Sequence, residues 1–254
     1  MSEMENAIQQ EMPPLPPQMH SPRNVGIVRG IEWLADGMRL FGANAAAWIG
    51  ICVVGFVMML ALGILNVIPG AGLLIGIFTY VWIGGLMIGC RDADQGAELK
   101  LNHLFAGFQH RLDTLVLLGI INQILSVLIM LAVVGPLYWD ILMGNEWTPN
   151  PQTIIEDVVL PMLIAFSLLL PLMMCTWFAP ALIVLQNKPV IEAMKLSFIG
   201  CARNVLPFLL YGVVQLVAAI VAALPFFLGL LVFIPMLYGS IYAAYKDIFL
   251  HQPA

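Results

Sequence analysis

Residues 45–90 read AAAWIGICVVGFVMMLALGILNVIPGAGLLIGIFTYVWIGGLMIGC, and not one of them is Asp, Glu, Lys, Arg or His. A helix that crosses about 30 Å of hydrocarbon takes about 20 largely apolar residues. The run therefore holds two crossings, Ala45–Val67 and Ala71–Cys90. Ile68-Pro69-Gly70 separates them, a proline that fixes φ beside a permissive glycine, which suits a tight reversal. This hairpin predicts an all-α, polytopic membrane protein.

Working outward, four further apolar stretches appear: about Thr114–Val134, ending at Gly135-Pro136; about Val158–Leu185; Val205–Leu224; and Phe226–Tyr245, with Pro225 at the turn. Six spans are expected. The fourth is long and carries Pro161, Pro171 and Pro180, so it should be tilted, kinked or partly interfacial. Composition agrees: of 254 residues 61% are apolar and 10% charged, with a mean hydropathy of +0.94. Soluble domains carry about 45–50% apolar and about 25% charged residues, and a globule of this size still needs a polar surface. The net charge of -5 is spread out with no basic cluster, which excludes a nucleic-acid partner. Cys52, Cys90, Cys175 and Cys201 show no CxxC spacing and read as small packing residues.

Charge sets the expected orientation. With six spans, all 10 Lys and Arg residues fall before span one, after span two, after span four or at the C-terminus. The alternate loops at 68–70, at 135–157 and near Pro225 hold none, and the middle one carries Asp140, Glu146, Glu156 and Asp157. Short basic loops stay cytoplasmic, so both termini are expected inside. Residues 1–22, acidic and rich in proline, are expected to form a disordered cytoplasmic tail rather than a signal peptide, leaving 23–250 as one integral membrane domain.

Three segments, 27–41, 99–112 and 189–203, alternate apolar and charged residues at helical spacing. Ile27, Ile31, Leu34, Met38 and Phe41 oppose Arg29, Glu32, Asp36 and Arg39 in the first. Each is expected to be an amphipathic helix at the cytoplasmic interface, apolar face toward lipid. Each also precedes a span, so the chain reads as three hairpin-like repeats, with Asn44, Asp113 and Asn204 as the last polar residue before lipid. The endings GGLMIGCRD (84–92) and YGSIYAAYKD (238–247) match, whereas the middle unit has PALIVLQN instead.

The stretch FAPALIVLQNKPVIEAMKLSFIGCARNVLPFLLYGVV (178–214), with YGSIYAAYKDIF (238–249), resembles an uncharacterised proteobacterial family of multi-pass inner-membrane proteins. More distantly it is similar to the membrane domain found beside glycerophosphodiester phosphodiesterases and to YciC-like proteins. The resemblance implies a six-helix inner-membrane domain of unassigned activity and carries over no catalytic residue.

Chemistry is sparse. His103 and His110 lie seven apart with Asp113 beyond them, but metal sites usually gather a tighter set of ligands, so no metal and no cofactor is expected. No ionisable residue sits mid-span, and no HExxH, GxSxG or phosphate-loop motif occurs, so an enzyme is not expected. The intramembrane polar candidates are Asn122, Gln123 and Gln215, of which Gln123 and Gln215 fall at similar repeat depth. Amides there glue helices together more often than they bind a solute. The expected function is a non-enzymatic scaffold or regulator in envelope or lipid homeostasis, in contact with membrane lipids. The alternatives are a channel or facilitator for an uncharged or amphiphilic solute, or an accessory subunit of a membrane protein partner.

Overall fold

The computed structural model describes residues 19–65, 71–142 and 154–250. The expectations for most of the proline-rich tail, for the 68–70 turn and for 143–153 of the acidic loop lie outside these residues. The elements are α1 Arg29–Ala43, α2 Ala45–Leu65, α3 Ala71–Asp94, a 3-10 turn Leu101–Phe105 that runs into α4 Ala106–Gln109, and α5 Leu112–Leu142. A π turn at Ile155–Val159 then leads into α6 Leu160–Thr176, followed by α7 Ala179–Gln186, α8 Val190–Arg203, α9 Val205–Ala223 and α10 Leu230–Phe249. The described residues contain no strand.

Five stretches are long and apolar enough to cross a membrane: Ala45–Ile64, Gly72–Asp94, Leu112–Gly135, Ile155–Gln186 and Val205–Ala223. The sixth expected span differs. Residues 224–229 form a turn in which Phe226 and Phe227 have positive φ (52° and 65°), so α10 starts four residues late. Its second half carries Ser240, Tyr242, Tyr245, Lys246 and Asp247, most of them buried. A helix surrounded by protein has no need of a lipid-like surface, which is why α10 falls short on apolarity although its 20 residues extend about 30 Å.

Two further boundaries need correction. α5 runs through Gly135-Pro136 to Leu142 instead of stopping there, in keeping with the tolerance of membrane helices for proline. Span four is broken at Trp177-Phe178, at Pro180 rather than at Pro171, which sits inside α6. Pro180 has no N–H for the preceding turn but suits the first turn of a new helix, α7.

The core lies at one end of the bundle. Its largest fully buried side chains, Trp33, Trp48, Phe178, Tyr245 and Phe249, come from α1, the start of α2, the α6–α7 break and the end of α10. Away from this collar the spans expose Phe56, Met59, Ile64, Leu163, Phe166 and Val217. An apolar exterior of that extent is what lipid solvates and water does not.

The collar is built on one repeated contact. Each pre-span segment crosses the second helix of the preceding unit, the first unit closing on the last, through a small residue set against backbone atoms four residues apart. A Cβ on Gly107 would sit 1.9 Å from Val81 O and 3.1 Å from Gly85 N. One on Gly37 would sit 2.3 Å from Met236 O and 2.7 Å from Ser240 N. At the third crossing the partner helix is broken, and Ser197 replaces glycine. Its hydroxyl donates to Met174 O (2.7 Å) and accepts from Phe178 N–H (2.9 Å), satisfying the groups the break releases.

The amphipathic segments are therefore docked into the bundle. α1 buries Gly30, Trp33, Leu34, Gly37 and Leu40 against α9 and α10, while Ile27, Ile31 and Met38 of the expected apolar face stay exposed. Hydropathy ranks glycine as neutral, yet close helix approach selects it, so the packed face is rotated from the one that the apolar pattern marks. The segment 99–112 is not one helix either: it is the 3-10 turn, α4 and a reversal at Arg111, whose φ is +58°.

Candidate functional site

Asn44 and Asn204 occupy equivalent junctions. Each ends one helix by donating its N–H to the carbonyl three residues back (Phe41 O, 3.1 Å; Cys201 O, 3.0 Å), and each carbonyl starts the next helix. Each side chain also accepts the N–H of the chain leading into another unit, Asn44 Oδ1 from Leu99 (3.3 Å) and Asn204 Oδ1 from Val25 (2.8 Å). Asp113 is not the third member. Arg111 is, since its carbonyl accepts Leu115 N–H (3.0 Å) as those of Asn44 and Asn204 accept Trp48 and Phe208. Counted from that junction, Asn122 is the repeat equivalent of Gln215, eleven residues on in each case.

Two acids close the collar. The Asp247 carboxylate accepts from Arg23, from Arg29 Nε (2.6 Å) and from Trp33 Nε1 (3.0 Å), with its side chain 3% exposed. Burial pushes this carboxyl up, but the hydrogen bonds from Arg29, Trp33 and Arg23 outweigh it and hold it below the usual carboxylate range. Asp92 holds the matching place: His103 accepts Lys100 N–H at Nδ1 (2.9 Å), so Nε2 carries the proton and donates to Asp92 (3.1 Å). That commits both ring nitrogens of His103. Among the described residues no group of three His, Cys, Asp or Glu side chains is arranged to hold a metal.

The intramembrane amides go to different neighbours. Gln123 lies on α5 against α3, where a Cβ on Gly76 would sit 2.4 Å from Gln123 Oε1. Gln215 lies on α9 and turns to α10, Nε2 donating to Ser240 Oγ (3.3 Å). The expected meeting of Gln123 with Gln215 is not what the fold makes, because Gln123 packs against α3 while Gln215 hydrogen-bonds to α10. Ser240 Oγ also donates to Leu237 O (2.7 Å) and pairs with Tyr211 OH (2.7 Å).

Beside Gln215 is a lateral groove of about 420 Å³ between α6 and α9. Leu170, Met173, Met174 and Trp177 line one wall, and Val205, Phe208, Leu209, Gly212 and Gln215 the other. Elsewhere the second span of one unit packs on the first span of the next, as α3 does on α5 through Gly119 and Ile77. Between α6 and α9 the groove takes that place. Its lining is almost wholly apolar: Tyr211 OH is tied to Ser240, and Gln215 Oε1 and Trp177 Nε1, though unpartnered, are buried within the protein. The sequence marked Gln215 by its depth, but nothing in it marked Trp177, Tyr211 or the groove.

No family model matches this chain, and no solved structure matches it. A probable inner membrane protein of Burkholderia thailandensis is 28% identical over 247 residues, covering 87% of this chain and 90% of its own length. With five helices of spanning length and that relative, the chain is a multi-pass helical protein of the inner membrane.

Proposed function

We propose that this protein is a non-enzymatic membrane protein of envelope or lipid homeostasis that holds the apolar part of a membrane amphiphile in the α6–α9 groove. The groove carries the reading. Its volume falls within the range of about 300–1,000 Å³ common to small-molecule pockets. An almost wholly apolar lining favours holding a chain over conducting a solute. In this proposal both termini are cytoplasmic, with the collar at that face and Ile27, Ile31 and Met38 meeting lipid there. The distant likeness to YciC-like proteins and to the membrane domain beside glycerophosphodiester phosphodiesterases belongs to the same proposal, carried by 178–214 and 238–249.

Gly212 provides the test. It lines the groove, and a Cβ there meets nothing within 4 Å, so the side chain of Gly212→Phe starts in open space and is directed at filling the groove. Gly55→Phe, equally open, is the control. After detergent purification, native mass spectrometry should show bound lipid on the wild type and on Gly55→Phe, and should show it lost from Gly212→Phe. Equal retention by all three proteins would sink the reading.

A further inference from the structure

The groove does not stop where α9 begins. Cys201, near the end of α8, lines it together with Val205, Phe208 and Gly212 of α9, so its collar end reaches past the Asn204 junction. Residues three and four apart share one face of a helix. Followed back from Cys201 along α8, that spacing passes Phe198 and arrives at Lys195, both exposed. Six residues of helix are about 9 Å, so Lys195 lies just beyond the collar end of the groove, on the ridge that continues its wall.

The other end of the groove is at Gln215, eleven residues of helix beyond Asn204. That is about 16 Å along the axis, near the middle of a hydrocarbon layer about 30 Å thick. The groove thus spans the depth of one leaflet, the one on the collar side. Leu170, Met173, Val205 and Leu209 of its walls are exposed, so a lipid of that leaflet can enter sideways.

Lys195 is placed for the other end of such a lipid. Its neighbours on the exposed face of α8 are Ile191, Phe198 and Ile199, so a cation stands among side chains that meet lipid. No acid among the described residues pairs with it, and Glu192, the one acid of α8, is held by Lys188 (2.6 Å). Availability alone selects nothing. Arg111 is also without an acid among the described residues, but it sits at the α4–α5 reversal, on neither wall of the groove nor the ridge that extends it.

We propose that the groove and Lys195 form one site for an anionic membrane lipid, with an acyl chain in the groove and the headgroup phosphate paired with the Lys195 ammonium. This rests on the groove being a lipid site, and it names the headgroup charge that the site selects. A zwitterionic headgroup is disfavoured, because its own ammonium would face Lys195 with no free acid on α8 to offset it.

Palmitoyl-oleoyl phosphatidylglycerol and phosphatidylcholine share their chains and differ in headgroup. Their competition, read as the occupancy ratio in native mass spectra of the detergent-solubilised full chain, tests the idea. The wild type should favour phosphatidylglycerol by about fivefold, the range that one basic side chain supplies at an anionic membrane surface. Lys195→Gln should bring the ratio to about one at the wild-type phosphatidylcholine level, which also reports that the groove is intact. Lys195→Arg should keep the preference, and so should Arg111→Gln.

Equal wild-type occupancy by the two lipids, with both lost from Gly212→Phe, overturns the headgroup selection and leaves the groove as a lipid site. Binding of neither overturns both. A preference that survives in Lys195→Gln, or falls as far in Arg111→Gln, removes Lys195 from the role. A preference that persists in Gly212→Phe puts the anionic lipid outside the groove, against this proposal. A photo-crosslinker at Leu209 that captures a polypeptide instead of lipid would assign the groove to a partner helix and overturn it as well.

Discussion

Replacing Asp247 by Asn should weaken the collar more than any other single charge removal in this protein. The substitution keeps the side chain's shape and removes only its charge, while Arg23 and Arg29 stay in place. Breaking a fully buried ion pair costs about 3–5 kcal/mol. The acid is 3% exposed, but the two arginine side chains are 40% and 38% exposed and regain water, so about 2–3 kcal/mol is expected here. Asp94, whose carboxylate meets Lys246 and Tyr242 with its side chain 17% exposed, gives the matched control, Asp94→Asn, at under about 1 kcal/mol. At about 2–4 °C per kcal/mol for a chain of this size, Tm in detergent, followed by tryptophan fluorescence, should fall by about 5–10 °C in Asp247→Asn and by only a few degrees in the control. The carboxyl is held below its ordinary 3.8, so its stabilisation is present above that pH and disappears as pH falls through the lower, folded-state value. Wild type and Asp247→Asn should therefore converge at acid pH. Equal losses in the two variants at neutral pH would refute the idea that Asp247 fastens the collar.

The glycine crossings and the orientation are open to equally direct tests. Gly107→Ala would place a methyl 1.9 Å from Val81 O and should lower Tm markedly, at about 1–3 kcal/mol or more, whereas Gly55→Ala, with nothing within 4 Å, should leave Tm unchanged or raise it. Equal tolerance of both would mean that α4 does not rest on α3. Reporter fusions after Asn145 and at the C-terminus should read periplasmic and cytoplasmic respectively, and one shared side would overturn the proposed topology.

Much of the architecture was written in the sequence. Long apolar runs are forced by hydrocarbon, so α2, α3, α5, α6 and α9 were placed by composition alone, with errors at their ends and at the break inside the fourth span. The repeat was visible through Asn44 and Asn204, because a polar side chain at the mouth of an apolar span stands out against the residues that follow it. Only the tertiary structure could decide how the units meet. Crossings at Gly37, Gly107 and Ser197 depend on backbone approach, and hydropathy assigns no weight to a missing side chain. The break at Trp177-Phe178 was hidden among three prolines, since each is tolerated or disruptive according to what satisfies the freed backbone groups, and here Ser197 from another helix does so. Gln215 was conspicuous as a polar residue at depth. Its free Oε1 and the groove beside it arise from where α6 and α9 leave a gap, and a gap between distant segments is a property of packing, which no local pattern in the chain encodes.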